Sequence, residues 1–277
     1  MNLSLKILTM VEPLDGFKFD FMVPFSQRFQ LGGSWNFSNS KANKFEVQSA
    51  FTSMPSGNSL AAQEEMSFVS ARKDSTGRLE ANGNVNLGKG WSLKPDMFFM
   101  DNDTSKAHVQ LELMKEFADS HMSYKVGGGM QSVSWMQTLN SQLMAGFEMF
   151  YIPQQREVFF CYGSTFNYDI HSFFAQYLPI ARKETISLGY IGRPSKRLTM
   201  FSELKGSLEG FSDTLVGFRV KFMEGMVTGS LSSSLKATSV YRHYIENILV
   251  LSFQSSIDFA KPDKPATFGV SLSVGAM

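Results

Sequence analysis

The stretch GNVNLGKG, Gly83 to Gly90, has the GxxxxGK spacing with which a glycine-rich loop cradles phosphate. That chemistry needs Ser or Thr after the lysine to reach magnesium, and a helix N-terminus to receive the anion. Gly90 holds the hydroxyl position, WSLKPD follows it, and Gly83 sits inside an alternating polar and apolar run, so these are strand and turn glycines. VGGGMQ, with Gly127 to Gly129, reads likewise as strand glycines that ease bending or close backbone contact. His108, His121, His171 and His243 are scattered, with no HExxH or comparable ligand spacing. No GxSxG elbow occurs, and the single cysteine, Cys161, has no His or basic activator near it in sequence. One cysteine also builds neither an internal disulfide framework nor a thiolate metal cluster. The sequence gives no support to enzymatic chemistry, and no metal or cofactor is expected.

A second set of chemistry-bearing residues recurs at strand spacing. Asp20, Glu46, Glu80 and Glu112 fall on the polar faces of early alternating runs, and Glu148, Glu203 and Asp258 follow later. Carboxylates on a wet wall need no functional explanation. If the wall lines a low-dielectric channel, the same carboxylates attract a basic, extended substrate. Lys125, Lys205, Arg219 and Lys221 share these faces, so such a wall would be divided by sign.

The elements that carry these residues are strands almost throughout. GFKFDFMV sets Phe17, Phe19, Phe21 and Val23 against Lys18, Asp20 and Met22, because successive side chains of a strand point to opposite faces. RFQLGGSWNFS, KFEVQSAF, GRLEANGNVNLG, KAHVQLELMKEF, DTLVGFRVKF and ILVLSFQSSIDF repeat the pattern, and the polar NSKAN, residues 39–43, reads as a turn. With weaker candidates near 64–73, 91–100, 121–131, 133–142, 143–152, 157–167, 171–178, 185–192, 198–207, 226–234 and 237–245, the count is about nineteen, at a spacing that fits strands of ~9–11 residues plus short turns. Nearly every strand keeps one face polar along its length. An open sheet of that size would leave exposed edges, which closure removes.

Composition agrees with that architecture. The 277 residues include 26 Phe and 22 Gly but only 18% charged residues, as strands with one apolar outer face require. A net charge of +1 gives no whole-molecule field to recruit nucleic acid. No run approaches the ~18 apolar residues of a spanning helix, and the opening MNLSLKILTMVEPLDG lacks a small-residue cleavage site, so it does not read as a secretory signal. A membrane barrel, whose signal is weak alternation repeated many times, is the expected class.

TFGVSLSVGAM, residues 267–277, alternates as strictly as any other run: Phe268, Val270, Leu272 and Val274 on one face, Thr267, Gly269, Ser271 and Ser273 on the other. Together with DGFKFDF and QRFQLGGSWNFS, this ending resembles the channel-forming subunit family of the translocase of the outer mitochondrial membrane, over roughly residues 15–275. Members of that family end in a sorting signal of polar, any, glycine, any, any, hydrophobic, any, hydrophobic. Thr267, Gly269, Leu272 and Val274 occupy its specified positions.

The resemblance implies an all-β, 19-stranded transmembrane β-barrel over 15–277, its first and last strands parallel and the rest an antiparallel meander. It implies closure of Phe17, Phe19 and Phe21 against Phe268 and Val270. Family members thread an N-terminal helical segment through the pore. Only residues 1–14 precede DGF here, and a helix over 2–11 spans about 15 Å, so the segment is short for that role. The implied function is passage of unfolded, presequence-bearing precursors through the mitochondrial outer membrane. Asp20, Glu46, Glu80, Glu112 and Glu148 would touch the basic face of the presequence while wall residues such as Met22 and Met114 meet its apolar face. Implied partners are the precursors, a second copy of the pore, a central single-span receptor, small single-span subunits and membrane lipid, without nucleic acid. Mitochondrial porin, the voltage-dependent anion channel, shares the fold and a similar terminal signal; such a pore should favour basic lumen residues. A bacterial outer-membrane porin and a soluble lipid-binding β-protein are the further alternatives.

Overall fold

The computed structural model describes residues 14–26, 28–38, 43–53, 67–100, 103–180, 183–207, 210–246, 248–261 and 265–275. All of the expected N-terminal segment except Leu14, and most of the expected NSKAN turn, lie outside the described residues.

Nineteen strands follow one another along the chain. They are β1 (Gly16–Pro24), β2 (Phe29–Ser38), β3 (Lys44–Ser53), β4 (Ser67–Asp74), β5 (Leu79–Gly88), β6 (Trp91–Met100) and β7 (Asp103–Glu116). The middle of the chain supplies β8 (Ser120–Gly127), β9 (Met130–Thr138), β10 (Leu143–Ile152), β11 (Glu157–Tyr168), β12 (His171–Ile180) and β13 (Lys183–Gly192). The last third supplies β14 (Leu198–Ser207), β15 (Gly210–Lys221), β16 (Gly225–Ser232), β17 (Lys236–Ile245), β18 (Leu249–Asp258) and β19 (Thr267–Val274). Each strand pairs antiparallel with its sequence neighbours, and β1 pairs parallel with β19, so the sheet is a closed barrel. Hairpins reverse direction at every step; an odd number of strands therefore brings the first and last together running the same way. Closure leaves no unpaired edge, which is what a sheet in hydrocarbon requires.

The outer face is apolar because the alternation keeps one parity outward. Phe17, Trp35, Phe37, Phe45, Val47 and Phe51 are all more than a third exposed. Their rings form a ladder across strands: Phe19 and Trp35 have centroids 5.6 Å apart, Phe21 and Trp35 5.2 Å, Trp35 and Phe45 5.2 Å. Such cross-strand aromatic contacts add to area burial and hold register.

Short turns join most strands. Gly88, Lys89 and Gly90 take φ of 81°, 52° and 75° in succession, a left-handed run that suits glycine, and the Gly88 N–H donates to Asn86 Oδ1 at 2.7 Å. The apparent phosphate loop is thus the hairpin between β5 and β6. Gly127 to Gly129 have φ of 141°, 59° and 76° and close the β8–β9 hairpin; Gly127, the last residue of β8, meets the expectation of close backbone contact, since a Cβ there would lie 2.0 Å from the Val109 carbonyl oxygen, while Gly128 and Gly129 form the turn and not a strand bend. Between β4 and β5 the Asp74 carboxylate accepts from the N–H groups of Thr76 (3.0 Å) and Arg78 (2.9 Å) and from the Thr76 hydroxyl (2.7 Å), so the side chain itself shapes the turn.

Candidate functional site

Even-numbered residues of β1 and β2 and the partners that the register assigns them form the inner wall. Cross-strand pairing carries this parity around: Asp20 faces Ser34, Ser34 faces Glu46, Glu46 faces Asp74, and Arg72 faces Glu80. Glu112 faces Lys94 on one side and Lys125 on the other, and Glu148 faces Ser134 and Cys161. All five candidate carboxylates, Asp20, Glu46, Glu80, Glu112 and Glu148, are therefore on one inner surface, together with Met22 and Met114. They do not form one cluster; they are spread over β1 to β10.

Most of them hold a cation. Lys18 Nζ lies 3.1 Å from Asp20 Oδ1. The Arg72 guanidinium donates to Glu80 Oε2 from Nε (3.0 Å) and Nη2 (2.7 Å), and Arg78 Nη2 reaches the same oxygen at 3.3 Å while its guanidinium lies 4.6 Å from the Phe98 ring centre. Lys125 Nζ sits between Glu112 (3.6 Å) and Glu148 (3.5 Å), and Ser132 Oγ donates to Glu148 at 3.2 Å. Glu148 is only 5% exposed. Glu46 differs: among the described residues it has no ion pair, and its direct cross-strand neighbour is Asp74. Where a wall divided by sign was expected, the early strands hold both signs paired side by side, and Glu46 stands outside those pairs among the described residues.

The wall farther round has the opposite character. On β15, Arg219 and Lys221 point inward, as does Arg242 on β17, and none has a carboxylate partner among the described residues. Arg219 Nε is buried without a hydrogen-bond partner. Lys205, also inward, pairs with Glu203 at 3.1 Å. Between these regions β13 and β14 bring Ile191 and Phe201 together as a buried apolar cluster, with Phe174 and Leu215 packed against it. Phe201 is 1% exposed, and its ring lies where Gly217 leaves room, since a Cβ there would come within 2.3 Å of it.

The closing seam carries the other candidate residues. β1 and β19 pair from Gly16 with Gly269 to Phe21 with Val274. Phe17, Phe19 and Phe21 stand directly against Val270, Leu272 and Val274 on the outer face; Phe268 is outward as well and faces Ser255 of β18. Inside, the Leu14 N–H donates to Gln254 Oε1 at 3.0 Å, and the Leu14 carbonyl lies 2.3 Å from where a Cβ on Gly269 would be. Gly269 is thus the place where the chain entering β1 crosses the inner face of β19. Thr267 bonds weakly to the Ser256 carbonyl (3.4 Å), and Ser273 Oγ donates to Asp20 Oδ2 across the seam at 3.3 Å. One register row reads Arg242, Ser252, Ser271, Lys18, and beside it a recess of about 440 Å³ opens inward, lined also by Asp20, Gln48 and Tyr244.

Sequence reasoning passed over Arg72, Arg78 and Arg242. Lys18 with Asp20, and Glu203 with Lys205, were readable as same-face neighbours two residues apart. Arg72 with Glu80 was readable too, had the turn DSTG at 74–77 been used to set the hairpin register. Lys125 with Glu148 spans two interfaces and has no local signal.

The family model described as eukaryotic porin matches residues 4–269. Curated proteins gave no match.

Proposed function

From the premise that this chain belongs to the eukaryotic porin family, and is therefore a membrane β-barrel channel, we propose that it conducts polypeptides across the mitochondrial outer membrane. Its cargo would be unfolded precursors whose presequences are basic and amphipathic. A short segment over 1–14 and one barrel over 15–277 would make up the pore. A second copy, a central single-span receptor and small single-span subunits would surround it.

The observation that carries this reading is the run of inward carboxylates along β1 to β10, most already holding a cation. A passing Lys or Arg exchanges with the resident Lys18 or Arg72, so its net gain is a difference between two similar ion pairs. Exposed pairs of this kind contribute roughly 0–1 kcal/mol each, weak enough for transit. Glu46, beside Asp74 and without an ion pair among the described residues, would be the strongest single contact. Met22 and Met114, unbranched and adaptable, stand inward among these groups for the apolar face of the cargo.

A second reading has its own observation. Arg219, Lys221 and Arg242 form an arc of cations without carboxylate partners among the described residues, and such a wall favours small anions, as a metabolite channel would require. Single-channel recording in planar bilayers separates the two. The import reading expects cation preference, block by a basic amphipathic presequence peptide, and loss of both in Glu46→Lys, a change that breaks no ion pair. Anion preference with no peptide block, abolished by Arg219→Gln with Arg242→Gln, would replace it with the metabolite reading.

A further inference from the structure

Charged side chains on the lipid side of a barrel need a reason, and the outer wall carries a few. Within the described strands, the outward lysine and carboxylate side chains are Lys73, Lys115 and Glu184. Lys115 Nζ lies 5.1 Å and 5.6 Å from the ring centres of Trp91 and Phe117, and it donates to the Lys89 carbonyl. Glu184 accepts a hydrogen bond from the Tyr177 hydroxyl. Lys73 has no partner among the described residues, although it is the penultimate residue of β4 and stands between Val47 and Leu79 in register.

Next to Lys73, toward the middle of the wall, the outer surface is hollowed. The next outward row on β3 and β4 carries Ser49 and Ala71, small side chains that form a floor between Leu31, Val47 and Leu79. The hollow measures about 450 Å³, is overwhelmingly apolar, and has Lys73 with Ser75 at its outer end. An apolar trough that runs toward the middle of the wall from a cation without a partner among the described residues, near a strand end, has the two chemistries of one amphipathic molecule in the right order. The long lysine stem lies along apolar surface and carries the ammonium toward the headgroup layer.

We infer that this trough on β2–β5 holds a single anionic phospholipid, an acyl chain over Ser49 and Ala71 and the headgroup phosphate on Lys73. A zwitterionic lipid could fill the trough, but its own cationic group would compete with Lys73 for the phosphate. An anionic headgroup near a membrane surface gains roughly five-fold in binding for each lysine it meets. The preference should therefore be of that size and should vanish with the charge.

Native mass spectrometry of the barrel released from mixed nanodiscs of phosphatidylglycerol and phosphatidylcholine with matched chains tests this. The wild type should retain one phosphatidylglycerol in preference to phosphatidylcholine, and Lys73→Arg should do the same. Lys73→Gln should lose the preference roughly five-fold, and Ala71→Leu, which fills the floor, should lower retention of both lipids. Both positions face outward, so the barrel's conductance serves as the folding control. Equal retention of the two lipids by the wild type, or unchanged phosphatidylglycerol retention by Lys73→Gln, would overturn the inference. So would a co-purifying single-span protein in place of any lipid.

Discussion

The closing seam and the wall around β8 to β10 use the same chemistry to different depths. At the seam Lys18 and Asp20 pair at 3.1 Å with side chains 37% and 27% exposed. On the wall Lys125 bridges Glu112 and Glu148, and the Glu148 side chain is 6% exposed. The seam is also the one parallel junction, only six residue pairs long in register, where β10 and β11 share ten. Parallel pairing is slightly less stable per residue than antiparallel pairing. The seam must therefore be specified by something other than its ion pair or its hydrogen-bond count. Close backbone packing at Gly269 is that feature, whereas the wall carries a cation shared by two carboxylates, one of them buried.

The largest effect should come from breaking the seam where it is tightest. Gly269→Asp places a Cβ within 2.3 Å of the Leu14 carbonyl and adds a charge beside it, so no closed barrel should form. The measurement is the heat-sensitive gel shift of protein refolded into liposomes with no insertion machinery present. Failure there makes Gly269 a closure residue in its own right. Normal refolding in liposomes, combined with failure to insert in mitochondria, would assign it to recognition of the terminal signal alone.

Next in size is the wall. Lys125→Met removes the cation between Glu112 and Glu148, and losing a charge-assisted contact of this kind costs about 2 kcal/mol, with Ser132 still donating to Glu148. Urea unfolding in vesicles should show that loss, and Glu148→Gln in the same chain should restore much of it. A loss below about 1 kcal/mol would mean that the bridge is no stronger than a surface pair, and the contrast with the seam would vanish.

How much of this was legible follows from the range of each signal. Alternation is local, so all nineteen strands and the inward parity of Asp20, Glu46, Glu80, Glu112 and Glu148 could be read from the residues. The parallel closure came through resemblance, and the strand count made it necessary. Ion pairing depends on register between strands, and register depends on turn geometry. Gly127 to Gly129 illustrate the difficulty: three glycines in an apolar context look like a bend, and only the succession of left-handed φ values makes them a hairpin. The Lys125 bridge from Glu112 to Glu148 required three hairpins, β7–β8, β8–β9 and β9–β10, to be placed correctly, and the crossing of Leu14 over Gly269 joins residues more than 250 positions apart in the chain. The apolar cluster at Ile191 and Phe201 was hidden for a different reason. Apolar residues of the inward parity contradict the simple rule of a wet lumen, so β13 and β14 looked like weak strands when they were well packed ones.

The smallest effect sharpens the comparison most, because it asks whether the seam's ion pair matters at all. Asp20→Asn removes the charge beside Lys18 on the same strand but keeps an oxygen that can still accept from Ser273, which reaches it across the seam at 3.3 Å. Both partners are substantially exposed, and pairs of this kind contribute about 0–1 kcal/mol. The variant should refold to the same gel shift as the wild type and lose at most about 1 kcal/mol in urea. Its conductance should change instead, since Lys18 would join Arg242 on the serine-floored row and shift ion preference toward anions, the more so at low salt where screening is weak. A loss of stability as large as that of Lys125→Met would show that the parallel junction is held by charge after all. In that case Gly269 would matter only for access and the seam would be an ion-pair lock like the wall. An unchanged fold with altered selectivity would assign the two tasks at the seam to different residues: closure to the glycine that lets the chain cross, and ion selection to the pair beside it.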